Sequence, residues 1–89
     1  MATATLEKAF AKAAEDVKGL SKRPRNDQLL ELYALFKQAT DGDASGARPG
    51  LFDVTGRAKY DAWARKQGTA TDAAMKAYID VVAALRKPG

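Results

Sequence analysis

The sequence contains no cysteine and no histidine among its 89 residues. Their absence excludes disulfide bonds, thiolate metal sites and the Ser-His or Cys-His pairs of nucleophilic enzymes. No segment approaches the run of about 18 apolar residues that spans a membrane, and the first ten residues lack a basic stretch followed by an apolar one. We therefore expect no signal peptide, no stable membrane insertion and a cytoplasmic location.

Positive charge exceeds negative charge, with 15 lysines and arginines against 11 aspartates and glutamates. The net charge of +4 favours an anionic partner, and nucleic acid, anionic lipid and phosphorylated metabolite all remain open. A chain of this length is expected to form one domain, residues 1–89, that buries roughly 60 to 70% of its unfolded surface. Its core is modest and cannot surround a helix on every side.

Four stretches of the sequence have helical periodicity, and none has the pattern of a convincing strand. The first is amphipathic, with Ala14 and Lys18 on its flank. The second has Asn26 or Asp27 as its N-cap and stops at Gly42. The apolar positions of the first helix are Leu6, Phe10, Ala13, Val17 and Leu20.

The connection between the second and third helices, residues 41–54, is long for a helical bundle. Connections of that length in compact domains are usually functional or packed by their own side chains. The third helix is predicted over residues 56–67, with Tyr60 and Trp63 as its buried face.

The fourth helix is predicted to open with Thr69 as its N-cap and the carboxylate of Asp72 three residues later. Residues 88–89, a proline and a glycine, end it. Its inward face comprises Ala74, Ala77, Tyr78, Val81, Val82 and Leu85. Four short helices with one long connection predict an all-α fold.

The second helix has an apolar arc beyond its core-facing stripe when residues are placed at about 100° intervals. The core-facing stripe comprises Leu29, Leu32, Leu35, Phe36 and Ala39. The second arc comprises Leu30, Tyr33, Ala34 and Lys37. Only Glu31 and Gln38 are clearly expected to face water. A helix that is apolar nearly all round needs cover on both sides, so something other than the small core has to cover the second arc.

Each of these features also has an ordinary structural explanation. Tyrosines at helical spacing are usually core residues, and lysines beside aromatics are usually solvated. A small basic helical module that binds nucleic acid or another protein would use the same positive charge, although lysines and acids alternate here on most faces. An enzyme is disfavoured because Ser21 and Ser45 lie in connections with no histidine base, and the acidic pairs lack the spacing of a metal site.

Four segments, YALFKQAT (33–40), ARPG (47–50), GRAKYDAW (56–63) and DAAMKAYI (72–79), resemble in order and spacing the signature segments of the acyl-CoA-binding protein family. The resemblance implies an up-down-down-up four-helix bundle that binds long-chain fatty acyl-CoA esters without catalysis and without a cofactor. It also implies a monomer that exchanges its ligand with acyl-CoA-producing or acyl-CoA-using enzymes and has no nucleic-acid partner.

The resemblance also implies roles for individual residues. Tyr33 and Lys37 match the pair on helix two that meets the nucleotide end of the ligand. Lys59 matches the lysine that contacts its 3′-phosphate, and Tyr78 matches the tyrosine that closes the site. The first-helix flank supplies the remaining matched positions, Ala14 and Lys18.

Three positions depart from the family pattern. Phe36 stands where the family commonly has a second tyrosine, which removes a hydroxyl and keeps an aromatic face. Thr55 stands where many members have lysine, which removes a cation near the expected ligand, and Tyr60 replaces a tryptophan. The residues expected in the groove for the acyl chain are Leu30, Ala34 and Met75.

Overall fold

The computed structural model describes residues 4–87, and most of them lie in four α-helices. No residue within this range is in a β-strand, which agrees with the predicted all-α class. The helices are α1 (Ala4–Lys18), α2 (Asn26–Asp41), α3 (Val54–Ala64) and α4 (Thr71–Arg86).

The second helix begins one residue earlier than its predicted N-cap allowed. Its N-cap is Arg25, whose backbone N–H donates to Oε1 of Gln28 at 2.8 Å, so the prediction of Asn26 or Asp27 is wrong. The predicted stop at Gly42 is confirmed, because this glycine adopts a φ of 82° and its N–H donates to the carbonyl of Gln38. Glycine enters that left-handed region without steric strain.

The boundaries of the last two helices also differ from prediction. The third helix starts at Val54 because Oδ1 of Asp53 caps it, accepting from the N–H of Gly56 at 2.9 Å. The N-cap of α4 is Ala70. Thr69 does not cap the helix, because its N–H donates to the carbonyl of Lys66 in the preceding turn and its carbonyl accepts from Nε2 of Gln38 on α2. The predicted stop at residues 88–89 lies outside the described residues.

The fourth helix is central to the packing. It contacts α1 and α2, while α3 packs against α2. Residues from α1, α2 and α4 form one buried cluster, so the core lies on the α4 side of α2. Its members are Phe10, Ala13, Leu32, Leu35, Ala39, Ala74, Tyr78 and Val82.

Gln38 is the clearest error of the sequence analysis, because it was expected to face water and is only 1% exposed. Its Nε2 donates to Oδ1 of Asp43 at 2.8 Å and to the carbonyl of Thr69 at 2.9 Å. The same Oδ1 accepts from the N–H of Gly68, and this bond, followed by that from Gln38, lowers the pKa of Asp43. One buried amide thus joins the α2–α3 connection to the α3–α4 turn.

The long connection between α2 and α3, residues 42–53, is fastened along its length to α3. Nη2 of Arg48 lies 2.6 Å from Oδ2 of Asp61, and the hydroxyl of Tyr60 donates to the carbonyl of Gly46 at 3.1 Å. Nε1 of Trp63 donates to the carbonyl of Gly42 at 2.7 Å. The connection is therefore held by side chains of α3, which fixes the position of α3 beside α2.

Candidate ligand-binding site

An open cleft of about 640 Å³ separates the start of α2 from the start of α3. From α2 it is lined by Asn26, Leu29, Leu30 and Tyr33, from α3 by Val54, Thr55, Ala58 and Lys59, and from the preceding turn by Arg23. The lining combines aliphatic side chains with two cations and a phenol. Such a cleft suits a ligand with an apolar part and an anionic part.

The polar end of the cleft is formed by a contact between α2 and α3. Nζ of Lys59 lies 5.4 Å from the centroid of the Tyr33 ring, within the range of a cation–π interaction. The two residues were predicted from the sequence to meet the same ligand, and the structure brings them together. No carboxylate pairs with the ammonium of Lys59 among residues 4–87, so its charge is not neutralised within the described part of the chain.

Lys37, one turn beyond Tyr33 on α2, has a different environment. Its ammonium forms an ion pair with Asp41 and lies 4.8 Å from the centroid of the Trp63 ring. The hydrogen bond to Asp41 raises the pKa of Lys37 and lowers that of Asp41. Lys37 does not line the cleft. An anion that recruits Lys37 has to compete with Asp41 for it.

Phe36, Phe10 and Tyr78 form an aromatic cluster joining α2, α1 and α4. The ring centroids lie 5.4 Å apart for Phe10 and Phe36, 5.1 Å for Phe10 and Tyr78, and 6.0 Å for Phe36 and Tyr78. Tyr78 is buried, and burial raises the pKa of its hydroxyl. Phe36 was expected in the core stripe and is 39% exposed, so its outer face is available to a planar ligand group.

The other predicted site residues lie outside the cleft. Ala34 has no exposed surface, so it supports α2 from within and cannot line an open groove. Ala14 and Met75 are partly buried against the core cluster. Lys18 is exposed at the end of α1, with its Nζ 3.4 Å from Oε1 of Glu15. Of the ten predicted ligand-binding residues, the cleft contains Leu30, Tyr33, Thr55 and Lys59.

Sequence analysis missed five residues of the cleft, namely Arg23, Asn26, Leu29, Val54 and Ala58. Leu29 was assigned to the core stripe. Ala58 lies three residues after Thr55 and four after Val54, a spacing that places all three on one helical face. That signal was present but required the correct start of α3, which the prediction placed two residues too late.

The described part of the chain has neither a cluster of metal ligands nor a membrane-spanning helix. Residues 4–87 contain no group of three or more Asp or Glu side chains arranged to hold a metal ion. Within the same range, no helix is long and apolar enough to cross a membrane.

A four-helix bundle with an aliphatic cleft beside cationic and aromatic side chains has the architecture of a small-ligand-binding protein. Comparison with known proteins specifies the class further. The family model described as acyl CoA binding protein matches residues 7–82. The chain therefore belongs to the acyl-CoA-binding protein family.

Individual relatives are similar in sequence to this chain over most of their length. The chain is 51% identical over 76 residues to an acyl-CoA-binding protein homolog of Drosophila melanogaster, covering 85% of this chain and 88% of that protein. It is 53% identical over 74 residues to acyl-CoA-binding protein homolog 1 of Caenorhabditis elegans, covering 83% and 86%.

Solved structures give the same result for the fold. The crystal structure of Oryza sativa acyl-CoA-binding protein 2 is similar with a TM-score of 0.86 and 40% identity, covering 90% of this chain and 89% of that one. The crystal structure of a Moniliophthora perniciosa acyl-CoA-binding protein gives a TM-score of 0.83 and 41% identity, covering 89% and 78%. The predicted four-helix bundle is confirmed.

Proposed function

We propose that this chain is a single domain, residues 1–89, that binds medium- to long-chain fatty acyl-CoA esters as a monomer and without catalysis. In the cytoplasm it buffers these esters and carries them between enzymes that produce them and enzymes that use them. The observation that carries the proposal is the cleft between α2 and α3, where aliphatic residues adjoin the Lys59–Tyr33 contact. Membership of the family supports it.

The acyl chain occupies the aliphatic part of the cleft in this proposal. Leu29 and Leu30 provide one wall, and Val54 and Ala58 provide the other. Burying each methylene of the ligand contributes about 0.8 kcal/mol, so the tail accounts for much of the affinity once the head is anchored. The ligand covers Leu30 and Tyr33 of the second apolar arc, whereas Ala34 of the same arc is already buried within the protein.

The nucleotide head is held by side chains at the polar end. Lys59 and Lys37 bind the 3′-phosphate, and Tyr33 and the exposed face of Phe36 contact the adenine. A phosphomonoester carries roughly −1.5 to −2 charges near neutral pH, taking phosphoserine as comparable, so two lysines match it. Lys18 and Ala14 border the head from α1, Thr55 lines the cleft beside Lys59, and buried Tyr78 positions the ring of Phe36.

Calorimetric titration with palmitoyl-CoA, free CoA and palmitate tests the proposal. Because one ligand joins the head and tail contacts, palmitoyl-CoA is expected to bind at a 1:1 ratio and far more tightly than either fragment alone. Palmitate binding as tightly as its CoA ester would refute the proposal. So would a titration with double-stranded DNA that gave tight, salt-dependent binding while palmitoyl-CoA gave none.

The length of the acyl chain provides a second test of the cleft. Affinity is expected to rise from acetyl-CoA through the medium-chain esters and to level off once the cleft is full, because further methylenes then remain in water. Equal affinities for acetyl-CoA and palmitoyl-CoA would show that the cleft does not hold the tail.

A further inference from the structure

A second cleft of about 640 Å³ is lined by the end of α1, the α1–α2 turn and the end of α4. We call it the basic cleft, because five of the chain's 15 cations line it against one of its 11 acidic residues. The remaining ten cations and ten acidic residues balance, so the excess positive charge of the whole chain lies here. The charged residues of the basic cleft are Asp16, Lys22, Arg23, Arg25, Arg86 and Lys87.

Only part of this charge is neutralised within the protein. Arg86 pairs with Asp16 at 3.1 Å, and Arg25 pairs with Asp27 at 3.1 Å. The other three cations of the basic cleft have no carboxylate partner among residues 4–87. Like charges in one cleft repel each other, so an anion that enters it is favoured. The three cations are Lys22, Arg23 and Lys87.

Apolar residues line the same cleft. Leu20, Pro24 and Leu85 are half-buried, whereas all five cations are exposed. Leu85 packs against the buried cluster of the core, so its position is fixed from within the protein. The basic cleft therefore offers apolar surface alongside positive charge, and it suits a ligand that has both apolar and acidic groups.

We propose that the basic cleft binds an acidic segment of a partner protein, in which carboxylates alternate with apolar side chains. The carboxylates pair with the cations that lack a partner within the chain, chiefly Lys22 and Lys87. The apolar side chains of the segment cover Leu20 and Leu85. Complementary charge of this kind selects a partner and its orientation, and the covered apolar surface adds affinity.

An acidic segment fits these observations better than a nucleic acid or a compact polyphosphate. The cations come from two separate stretches of the chain, the α1–α2 turn and the end of α4, so they match charges spaced along an extended peptide. Phosphate groups make polar contacts and leave the apolar part of the lining uncovered. The helices α1 and α4 both end at this cleft, and the partial negative charge of a helix C-terminus opposes a concentrated phosphate charge.

Docking at the basic cleft leaves most of the α2–α3 cleft accessible. Of the described residues, Arg23 alone lines both clefts. A segment bound through Lys22 and Lys87 therefore holds the chain while a ligand enters or leaves the α2–α3 cleft. The docking does not depend on what the α2–α3 cleft binds. Only the identification of the partner as an enzyme that makes or uses fatty acyl-CoA esters rests on the proposed function.

Fluorescence anisotropy tests the proposal with the full chain and a rhodamine-labelled peptide of four Glu-Glu-Leu repeats. The wild type is expected to bind this peptide, and to bind the matching Gln-Gln-Leu and Glu-Glu-Ser peptides about fivefold or more less tightly. The double variant Lys22→Gln/Lys87→Gln should lose about fivefold in affinity for the Glu-Glu-Leu peptide. The double variant Lys8→Gln/Lys76→Gln has the same net charge and removes two exposed lysines outside the basic cleft, so it should lose little.

The remaining outcomes separate this docking from other kinds of binding. The proposal is refuted if the wild type does not bind the Glu-Glu-Leu peptide, if both double variants lose affinity equally, or if the Glu-Glu-Ser peptide binds as tightly. Displacement of the peptide by palmitoyl-CoA would assign the peptide to the α2–α3 cleft and refute the proposal as well. Tight, salt-dependent binding of double-stranded DNA in place of the peptide would assign the basic cleft to nucleic acid. A wild type that binds the peptide and no palmitoyl-CoA would refute the proposed function alone.

Discussion

The two sides of α2 carry similar residues and have different surroundings. Toward α4, Leu32 and Leu35 are at most 5% exposed and belong to the buried cluster. Toward α3, Leu29 and Leu30 are only half-buried and border an open cleft. The leucines facing α4 are therefore buried in the core, whereas those facing α3 line a cleft. The difference arises because α4 covers its side of α2 and α3 leaves its side open.

The open side has an energetic consequence. Half-buried leucines contribute less to folding than buried ones, because much of their surface remains in water. A ligand that covers them binds only the native state and so raises the stability of the protein in proportion to its occupancy. The closed side should thus determine the stability of the free protein, and the open side should determine how much a ligand adds.

The largest effect is expected from truncating one leucine on each side. Leu35→Ala should lower the free energy of unfolding by about 2 to 5 kcal/mol, since it leaves a cavity in a packed core. Leu30→Ala should cost about 1 kcal/mol, because its side chain is already half in water. Urea denaturation of the ligand-free proteins measures both.

The two variants are expected to rank in the opposite order when their affinity for the ligand is measured. Leu30→Ala should weaken palmitoyl-CoA binding by more than Leu35→Ala does, provided that both remain folded at the temperature used. If Leu30→Ala proves as destabilising as Leu35→Ala and leaves the affinity unchanged, both sides of α2 are ordinary core and the comparison fails.

The next largest effect concerns the lysines at the polar end. Replacing Lys59 by Met retains much of the aliphatic stem and removes a charge-assisted bond to the ligand, which is typically worth about 1.5 to 3 kcal/mol. Lys37→Met should cost less, because Lys37 already has a partner in Asp41. Calorimetry at one fixed salt concentration measures both, since screening changes every charged contribution.

Dephospho-palmitoyl-CoA is the control for that assignment. If the lysines serve the 3′-phosphate, their replacement should have little effect on a ligand that lacks the group, and the comparison isolates the coupling between side chain and phosphate. Equal losses of affinity for both ligands would mean that the lysines bind the diphosphate or act only through the electrostatic field of the protein.

Sequence reasoning found the helices and four of the nine residues of the cleft because both depend on local periodicity. Leu30 and Tyr33 lie on one arc of α2, and Thr55 and Lys59 are one turn apart on α3, so each pair follows from spacing within one helix. Which residues of one helix meet which residues of another depends on the position of α3. That position is set by the 42–53 connection, whose Arg48 pairs with Asp61 of α3 and whose Gly42 carbonyl accepts from Nε1 of Trp63.

Gln38 shows why periodicity fails at the ends of helices. Its place on α2 lies outside the core stripe, so a helical projection exposes it. The chain then folds back over it, and Asp43 and the carbonyl of Thr69 accept both of its donated hydrogen bonds. These partners are five and 31 residues away in sequence, and no pattern within the helix reports them.

A smaller effect is expected from restoring a cation at position 55. Thr55 lines the cleft near Lys59, and its side chain is exposed. Thr55→Lys should therefore strengthen palmitoyl-CoA binding by about two- to fivefold through a solvent-exposed charge interaction, with no effect on folding. Thr55→Gln, which is similar in length and uncharged, is the matched control. An equal gain for both variants would attribute the change to packing.

The smallest effect concerns the competition for Lys37. Asp41→Asn removes its ionic partner, so a ligand phosphate no longer has to displace a carboxylate, and affinity for palmitoyl-CoA should rise by about twofold. The stability of the ligand-free protein should fall slightly. Calorimetry gives the first quantity and urea denaturation the second.

The pH dependence of stability shows whether the ion pair between Lys37 and Asp41 stabilises the folded protein. The hydrogen bond from Lys37 lowers the pKa of Asp41 in the folded state, so the pair stabilises the protein above the ordinary pKa of an aspartate. That contribution is lost as the pH falls from about 4 through the lowered pKa, because the carboxylate is then protonated in both states. Wild type and Asp41→Asn should therefore differ in urea midpoint at pH 7 and converge in strong acid. A difference that persists unchanged in acid would mean that the asparagine disturbs the end of α2 by another route, and any gain in affinity could not then be assigned to the release of Lys37.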